Sequence, residues 1–200
     1  MAVARPLTRR SRRTRSELAS AAHDQVARTG AVDVGAITGA AGVSPATFYA
    51  HFATHDDALA AAVDIALERI VGVGERLFHV ERLLESGLAA VLDQLLRETH
   101  AVFQTESVVL RAALASLPRN RRIREVYRRH EARCLEHFAH QIELGQRAGV
   151  VRRGAADLRA RSLLVVLQGF SNPLLTRGPL DPEVADDLRR VLGALLAPER

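Results

Sequence analysis

Residues 34 to 52 read VGAITGAAGVSPATFYAHF, and the fold turns on the middle of that stretch, Gly42-Val43-Ser44-Pro45. Asp33 offers an N-cap to a short helix carrying Val34, Ile37 and Ala41, and Gly42 follows as a left-handed stop. Ser44 can accept a free N–H of the next helix, and Pro45 falls at its first position, where a missing N–H is harmless and φ is already suitable. Two short helices joined by a tight glycine turn, the second opening on a Ser cap, make a helix-turn-helix over about 33–52.

Upstream, Thr14 with Glu17 fits a capping box, which predicts a first helix starting at residue 14 with Leu18, Ala22 and Val26 inward and Gly30 closing it. Residues 1–13 then form a flexible basic arm, and 14–55 a DNA-binding domain. Downstream, Thr54 with Asp57 opens a fourth helix over 56 to about 79, carrying Leu59, Val63, Ala66, Leu67 and Ile70 and weakened by Gly72 and Gly74. Longer helices follow. Leu88, Val91, Leu92, Leu95, Leu96, Thr99 and Phe103 mark one, 106–116 a shorter one, and 121–148 a long one ending at Gly149. The 158–170 segment is apolar nearly all round, and Asp181-Pro182 caps a last helix bearing Val184, Leu188, Val191, Leu192 and Leu195. Alternating β-type runs are absent, so the chain is expected to be all-α with about nine helices, residues 56–200 forming a second helical domain.

Composition fits a globular chain of 200 residues with 48% apolar and 26% charged side chains. No run approaches the roughly 20 apolar residues of a membrane span, no secretory h-region follows the N-terminus, and a single Cys134 suits a reducing compartment; a cytoplasmic protein without membrane contact is expected. All 28 basic residues are Arg, against 23 acids. Six of them (Arg5, Arg9, Arg10, Arg12, Arg13 and Arg15) precede the first acid, Glu17; removing six from 28 leaves 22 Arg against 23 acids. The surplus is therefore a basic arm on a neutral body. Such an arm suits a phosphate backbone, though a solvated tail or a targeting segment has the same composition.

The stretch 34–52 resembles the DNA-binding core of TetR/AcrR-family transcriptional regulators, with Ile37, Gly42-Val43-Ser44, Thr47, Tyr49 and Phe52 at the family's spacing. The likeness at motif level covers about residues 14–65. It implies that Ser44, Pro45, Ala46, Thr47 and His51 approach base edges or flanking phosphates, that the Tyr49 hydroxyl reaches a phosphate, and that Phe48 and Phe52 pack inward. Two positions depart from the pattern: Gly35 stands where a basic or polar residue is common, and His55 where a phosphate-contacting Lys is usual. No Arg or Lys lies between Arg28 and Arg69, so the reading segment has no fixed positive charge. Phosphate neutralisation is expected from Arg9, Arg10, Arg12, Arg13 and Arg28, with Thr14 as a further DNA contact, and deletion of residues 1–13 should weaken operator binding and flatten its salt dependence.

For the C-terminal part the resemblance implies a homodimer through the last two helices. Leu163, Val166, Leu167, Phe170, Leu188, Val191, Leu192 and Leu195 are the candidate interface residues. Closing the monomer's own core is the alternative. A small-molecule effector pocket is expected among Phe78, Leu92, Leu96, His100, Phe103, Leu110, Tyr127, Cys134, Phe138, Gln141 and Gln168, chosen by helix and face. Arg119 to Arg133 holds seven Arg against two acids and reads as a solvated helix face, a site for an anionic effector or a second DNA patch. His130, Cys134 and His137 share one helical stripe, compatible with a metal, a pocket wall or plain packing; no metal or cofactor is assigned. No catalytic motif is present, so an enzyme is not expected. The function expected is a repressor that binds a palindromic operator in double-stranded DNA and is released by a ligand. A constitutive or architectural DNA-binding protein is the alternative, and a helical enzyme or ligand carrier a remote one.

Overall fold

A computed structural model describes residues 8–198, and among these every regular element is a helix. In chain order they are α1 (Arg9–Thr29), α2 (Val34–Ala41), α3 (Pro45–His51), α4 (His55–Leu77), α5 (Val80–Thr105), α6 (Ser107–Ser116), α7 (Arg121–Arg147), α8 (Ala156–Gln168) and α9 (Pro182–Leu196), with a single 3-10 turn at Gly169–Ser171.

Local chemistry sets most of the ends. Asp33 accepts the Ala36 N–H at 2.9 Å to start α2, and Ser44 accepts the Thr47 N–H at 3.2 Å to start α3 with Pro45 in its first turn. Thr54 and Asp57 exchange bonds across the start of α4, 3.1 Å from the Thr54 N–H to the Asp57 carboxylate and 3.2 Å from the Asp57 N–H to the Thr54 hydroxyl. Gly30 and Gly42 close α1 and α2 in the left-handed region at φ 75° and 64°. Asp181 caps α9 through the Glu183 N–H at 2.8 Å.

One start lies elsewhere than expected. Helix α1 begins at Arg9, capped by Thr8, whose hydroxyl accepts the Ser11 N–H at 3.2 Å. The expected box at Thr14 does not form: Thr14 lies inside the helix, and Glu17 accepts from Arg13 Nε at 2.8 Å one turn back. Residues 9–13 are thus the first turn of a helix and not a free arm. Residues 1–7, with Arg5, lie outside the described residues. A second departure is at Gly87, where φ 79° and ψ 156° break α5 into two segments. The second segment begins with Leu88, where the apolar period begins.

The chain divides into two units that do not follow a single cut after residue 55. Among the described residues, one joins the chain up to residue 66 to 108–126, and the other joins 67–107 to the chain from 127 on. The first buries Leu18, Ala22, Val26, Ile37, Phe48, Phe52, Ala62, Val63, Val109 and Ile123. Within it Asn120 is buried and fully used: its carbonyl caps α7 by accepting the Ile123 N–H at 3.1 Å, and its amide donates to the Asp56 carbonyl at 3.1 Å. Arg122 adds an ion pair of 2.7 Å to the buried Asp57. In the second unit α9 packs on α5 and α8, over a core that includes Leu95, Leu96, Phe78, Phe138, Ile142, Leu163, Phe170 and Leu192. A Cβ on Gly74 would lie 2.9 Å from the Phe138 ring, so that glycine allows the aromatic to approach α4 rather than merely weakening the helix.

Candidate nucleic-acid interface

Helix α3 is seven residues long, far below the dozen or so that hold a helix in isolation, so packing must fix it. Phe48 and Phe52 are both fully buried, with ring centroids 5.4 Å apart, and they anchor the inward face. The outward face is what remains. Ser44, Pro45 and Ala46 are exposed, Thr47 and His51 half-buried, and Tyr49 is 51% exposed, its ring packed edge-on against Phe48 at 5.2 Å. The hydroxyls of Ser44 and Thr47 lie 3.0 Å apart at the start of the helix. That face is small, polar and free of fixed charge, and it suits close approach to base edges in a groove that admits a helix. His55 opens α4 in an exposed position, and a Cβ on Gly35 would stand 3.3 Å from the Asp33 carboxylate that caps α2.

The expected phosphate contacts fall into two groups. Arg9, Arg10 and Arg12 are exposed at the start of α1. Arg13 is exposed but paired with Glu17, Thr14 is half-buried inside the helix, and Arg28 donates to Gln25 at 2.5 Å near the other end of α1. Sequence reasoning passed over Arg15. Its guanidinium donates to the His51 carbonyl and lies 4.7 Å above the centroid of the Phe52 ring. A position among six clustered arginines gave no signal of that separate duty.

Within the second unit, Phe78, Leu92, Leu96, His100, Phe103, Cys134, Phe138 and Gln141 are buried, and Tyr127 is half-buried with its phenol pushed up to about 12 by desolvation. Their polar members hold backbone. Gln141 accepts the Val80 N–H at 3.0 Å, and His100 donates through Nε2 to the Leu175 carbonyl at 2.7 Å while its ring meets Phe170 edge-on. Two of the expected lining residues do not belong with these: Gln168 is exposed on α8, and Leu110 is part of the first unit. Gln168 stands seven residues after the exposed Arg161, on the same outward face of α8.

The histidine stripe is divided in the same way. His137 donates through Nε2 to the Phe78 carbonyl at 3.0 Å and stacks edge-on with His79 at 5.0 Å, while burial pushes the Cys134 thiol up to about 12. Arg133, in the basic run, is clasped by Glu68 and Glu75 through bonds of 2.7–2.9 Å, which raise its affinity for the proton further. Among the described residues no trio of His, Cys, Asp or Glu is grouped to hold a metal, and no helix is long and apolar enough to cross a membrane.

The expected dimer face needs correction. Leu163 and Leu167 on α8, Phe170 in the 3-10 turn after it and Leu192 on α9 are buried in the chain's own core. Val166, Leu188 and Leu195 are half-buried. The apolar side chains left outward are Leu158 and Val165 on α8, 61% and 66% exposed, and Val191 on α9, 55% exposed.

These features define an all-α protein whose helix-turn-helix, α2 and α3, is followed by a larger helical body. No protein-family model and no curated protein matches the chain. Solved structures do. The chain is similar over 96% of its length to the whole of a Mesorhizobium loti MAFF303099 protein described as a TetR-family transcriptional regulator, at 20% identity and TM-score 0.74. It is similar over 94% of its length to the whole of a Saccharomonospora viridis protein described as a transcriptional regulator, in complex with choline, at 26% identity and TM-score 0.65. Over its full length it is similar to 98% of the multidrug binding protein EbrR, complexed with imidazole, at 24% identity and TM-score 0.67. The fold is therefore that of TetR-family transcriptional regulators.

Proposed function

We propose that the protein is a sequence-specific DNA-binding transcriptional regulator of the TetR/AcrR type, acting as a homodimeric repressor released by a small molecule. The observation that carries this is α3: an exposed face of Ser44, Pro45, Ala46 and Tyr49 on a helix anchored from behind by buried Phe48 and Phe52. With no Arg or Lys between Arg28 and Arg69, sequence reading and phosphate neutralisation fall to different segments, the second to Arg9, Arg10 and Arg12. The outward Leu158, Val165 and Val191 support pairing of α8 and α9 with those of a second copy. Two-fold symmetry then sets the two reading helices about 34–36 Å apart on a palindromic site.

Selection of a bound duplex from a random-sequence pool, followed by binding curves over a range of salt, tests the assignment. The expected result is enrichment of an inverted repeat and a steep fall of affinity with salt. Replacing Arg9, Arg10 and Arg12 by Gln should lower the salt slope by up to about 0.9 per lost phosphate contact. These substitutions are cleaner than deleting residues 1–13, which also removes the Thr8 cap. An unchanged slope would refute the role of the α1 start.

A ligand-free, constitutive DNA-binding protein is the second reading. It is favoured by the duty of Gln141 and His100, both of which hold backbone atoms of the body. The effector reading draws on the two similar proteins solved with choline and imidazole, small polar or cationic organic molecules. A thermal-shift screen over small organic cations and aromatic amines, scored for release of the selected duplex, separates the two.

A further inference from the structure

We infer that Arg15 is a positioning residue that fixes the C-terminal end of the reading helix from α1, and that it does not contact DNA phosphate itself. The inference rests on the DNA-binding reading above. Helix α3 ends at His51, and Phe52 leaves helical geometry at φ −128°, ψ 107°. The final carbonyls of a helix have no partner inside it and carry the negative end of its dipole. Arg15, half-buried in the second turn of α1, meets both features: it donates to the His51 carbonyl and stacks on Phe52, 4.7 Å from the ring centroid. Phe52 in turn returns its N–H to the Phe48 carbonyl at 2.8 Å, and its ring is buried beside that of Phe48.

One planar cation therefore holds the point where the chain leaves the reading helix. A flat guanidinium can stack and donate at the same time, whereas an ammonium on a flexible stem offers a point charge without that geometry. Arg15 and the exposed Arg12 thus have opposite signatures although they lie three residues apart. Replacing Arg12 removes charge from the phosphate contact. Replacing Arg15, even by Lys, loosens α3.

The test compares full-length wild type, R15K, R15Q and R12Q on the duplex that wild type selects from a random pool, with melting temperature followed for each. For R15K and R15Q we expect roughly tenfold weaker binding to the selected duplex. Binding to an unrelated duplex should change little, and the salt slope should stay at the wild-type value. For R12Q we expect a slope reduced by about 0.9. Hydrogen exchange in the DNA-free proteins should be faster for the Thr47–Phe52 amides in R15K and unchanged in α2. If R15Q does not fold, R15K, which keeps the charge and most of the stem, carries the comparison. R15K binding as wild type does, or an R15Q slope that falls as the R12Q slope does, overturns the inference alone. A wild-type chain that enriches no duplex overturns the DNA-binding reading and the role of Arg15 within it.

Discussion

The two units are held by bonds of different reach. In the first, the caps that start its helices each span three residues: Thr8 to Ser11, Asp33 to Ala36, Ser44 to Thr47, and Thr54 with Asp57. In the second, they join distant parts of the chain: Arg133 to Glu68 and Glu75, Gln141 to Val80, His100 to Leu175 and Arg189 to Asp93. A head built from local caps can keep its shape in only a few short helices. A body built from distant pairs depends on the arrangement of long helices, and its charged bonds are open to salt. Longer reaches also occur inside the first unit: Asn120 goes 64 residues back to the Asp56 carbonyl, Arg122 pairs with Asp57, and Arg15 donates to the His51 carbonyl.

That contrast can be attacked at several strengths. The largest effect belongs to the buried aromatic base of the head: F48A should cost about 3–5 kcal/mol in urea unfolding, with loss of DNA binding. N120A strips partners from the Ile123 N–H and the Asp56 carbonyl, and about 1–3 kcal/mol is expected in the same assay; a negligible cost would return Asn120 to the local pattern. Ser44→Ala removes one cap and should cost about 1 kcal/mol, with S44G a few tenths, distinguishing capping from side-chain packing. Arg133→Ala should cost no more than about 1 kcal/mol, since Arg133, Glu68 and Glu75 are all partly exposed, and the difference should shrink in 1 M salt.

The smallest effect is a pH dependence. His137 is held below the ordinary histidine range mainly by desolvation, and neighbouring His79 and His140 push in the same direction against the Phe78 carbonyl and Glu75. In the folded chain it therefore takes up its proton less readily than in the unfolded chain. Its contribution to stability is whole above about pH 6.5 and is lost as pH falls below that value. Melting temperature measured between pH 7.5 and 5.5 should drop less steeply in H137Q than in wild type.

The same difference of reach explains what the residues alone disclosed. Asp33, Gly42, Ser44 and Pro45 state the ends of α2 and α3 within a few positions of each other, so the reading head and its inward Phe48 and Phe52 were legible. The start of α1 was not, because Thr8 and Thr14 both offer a cap and only that of Thr8 is used. Helix α8 was read by its apolar content alone, although Arg161, Ser162 and Gln168 mark the outward face that Leu158 and Val165 share, opposite the inward Leu163 and Leu167. Gln168 was misplaced for the same reason. The duty of Arg15 depends on a carbonyl 36 residues away, beyond any periodicity.

The exposed Leu158, Val165 and Val191 have a consequence for dosage. A palindromic site is occupied by two copies, so where those faces are what joins them, occupancy rises with the square of concentration below the dimer's dissociation constant. For the proposed repressor, dilution at cell division or modest proteolysis would then open the controlled gene with no ligand present. An apolar-to-charged change such as V165E would act as a permanent dilution, leaving each reading head intact and the pair absent.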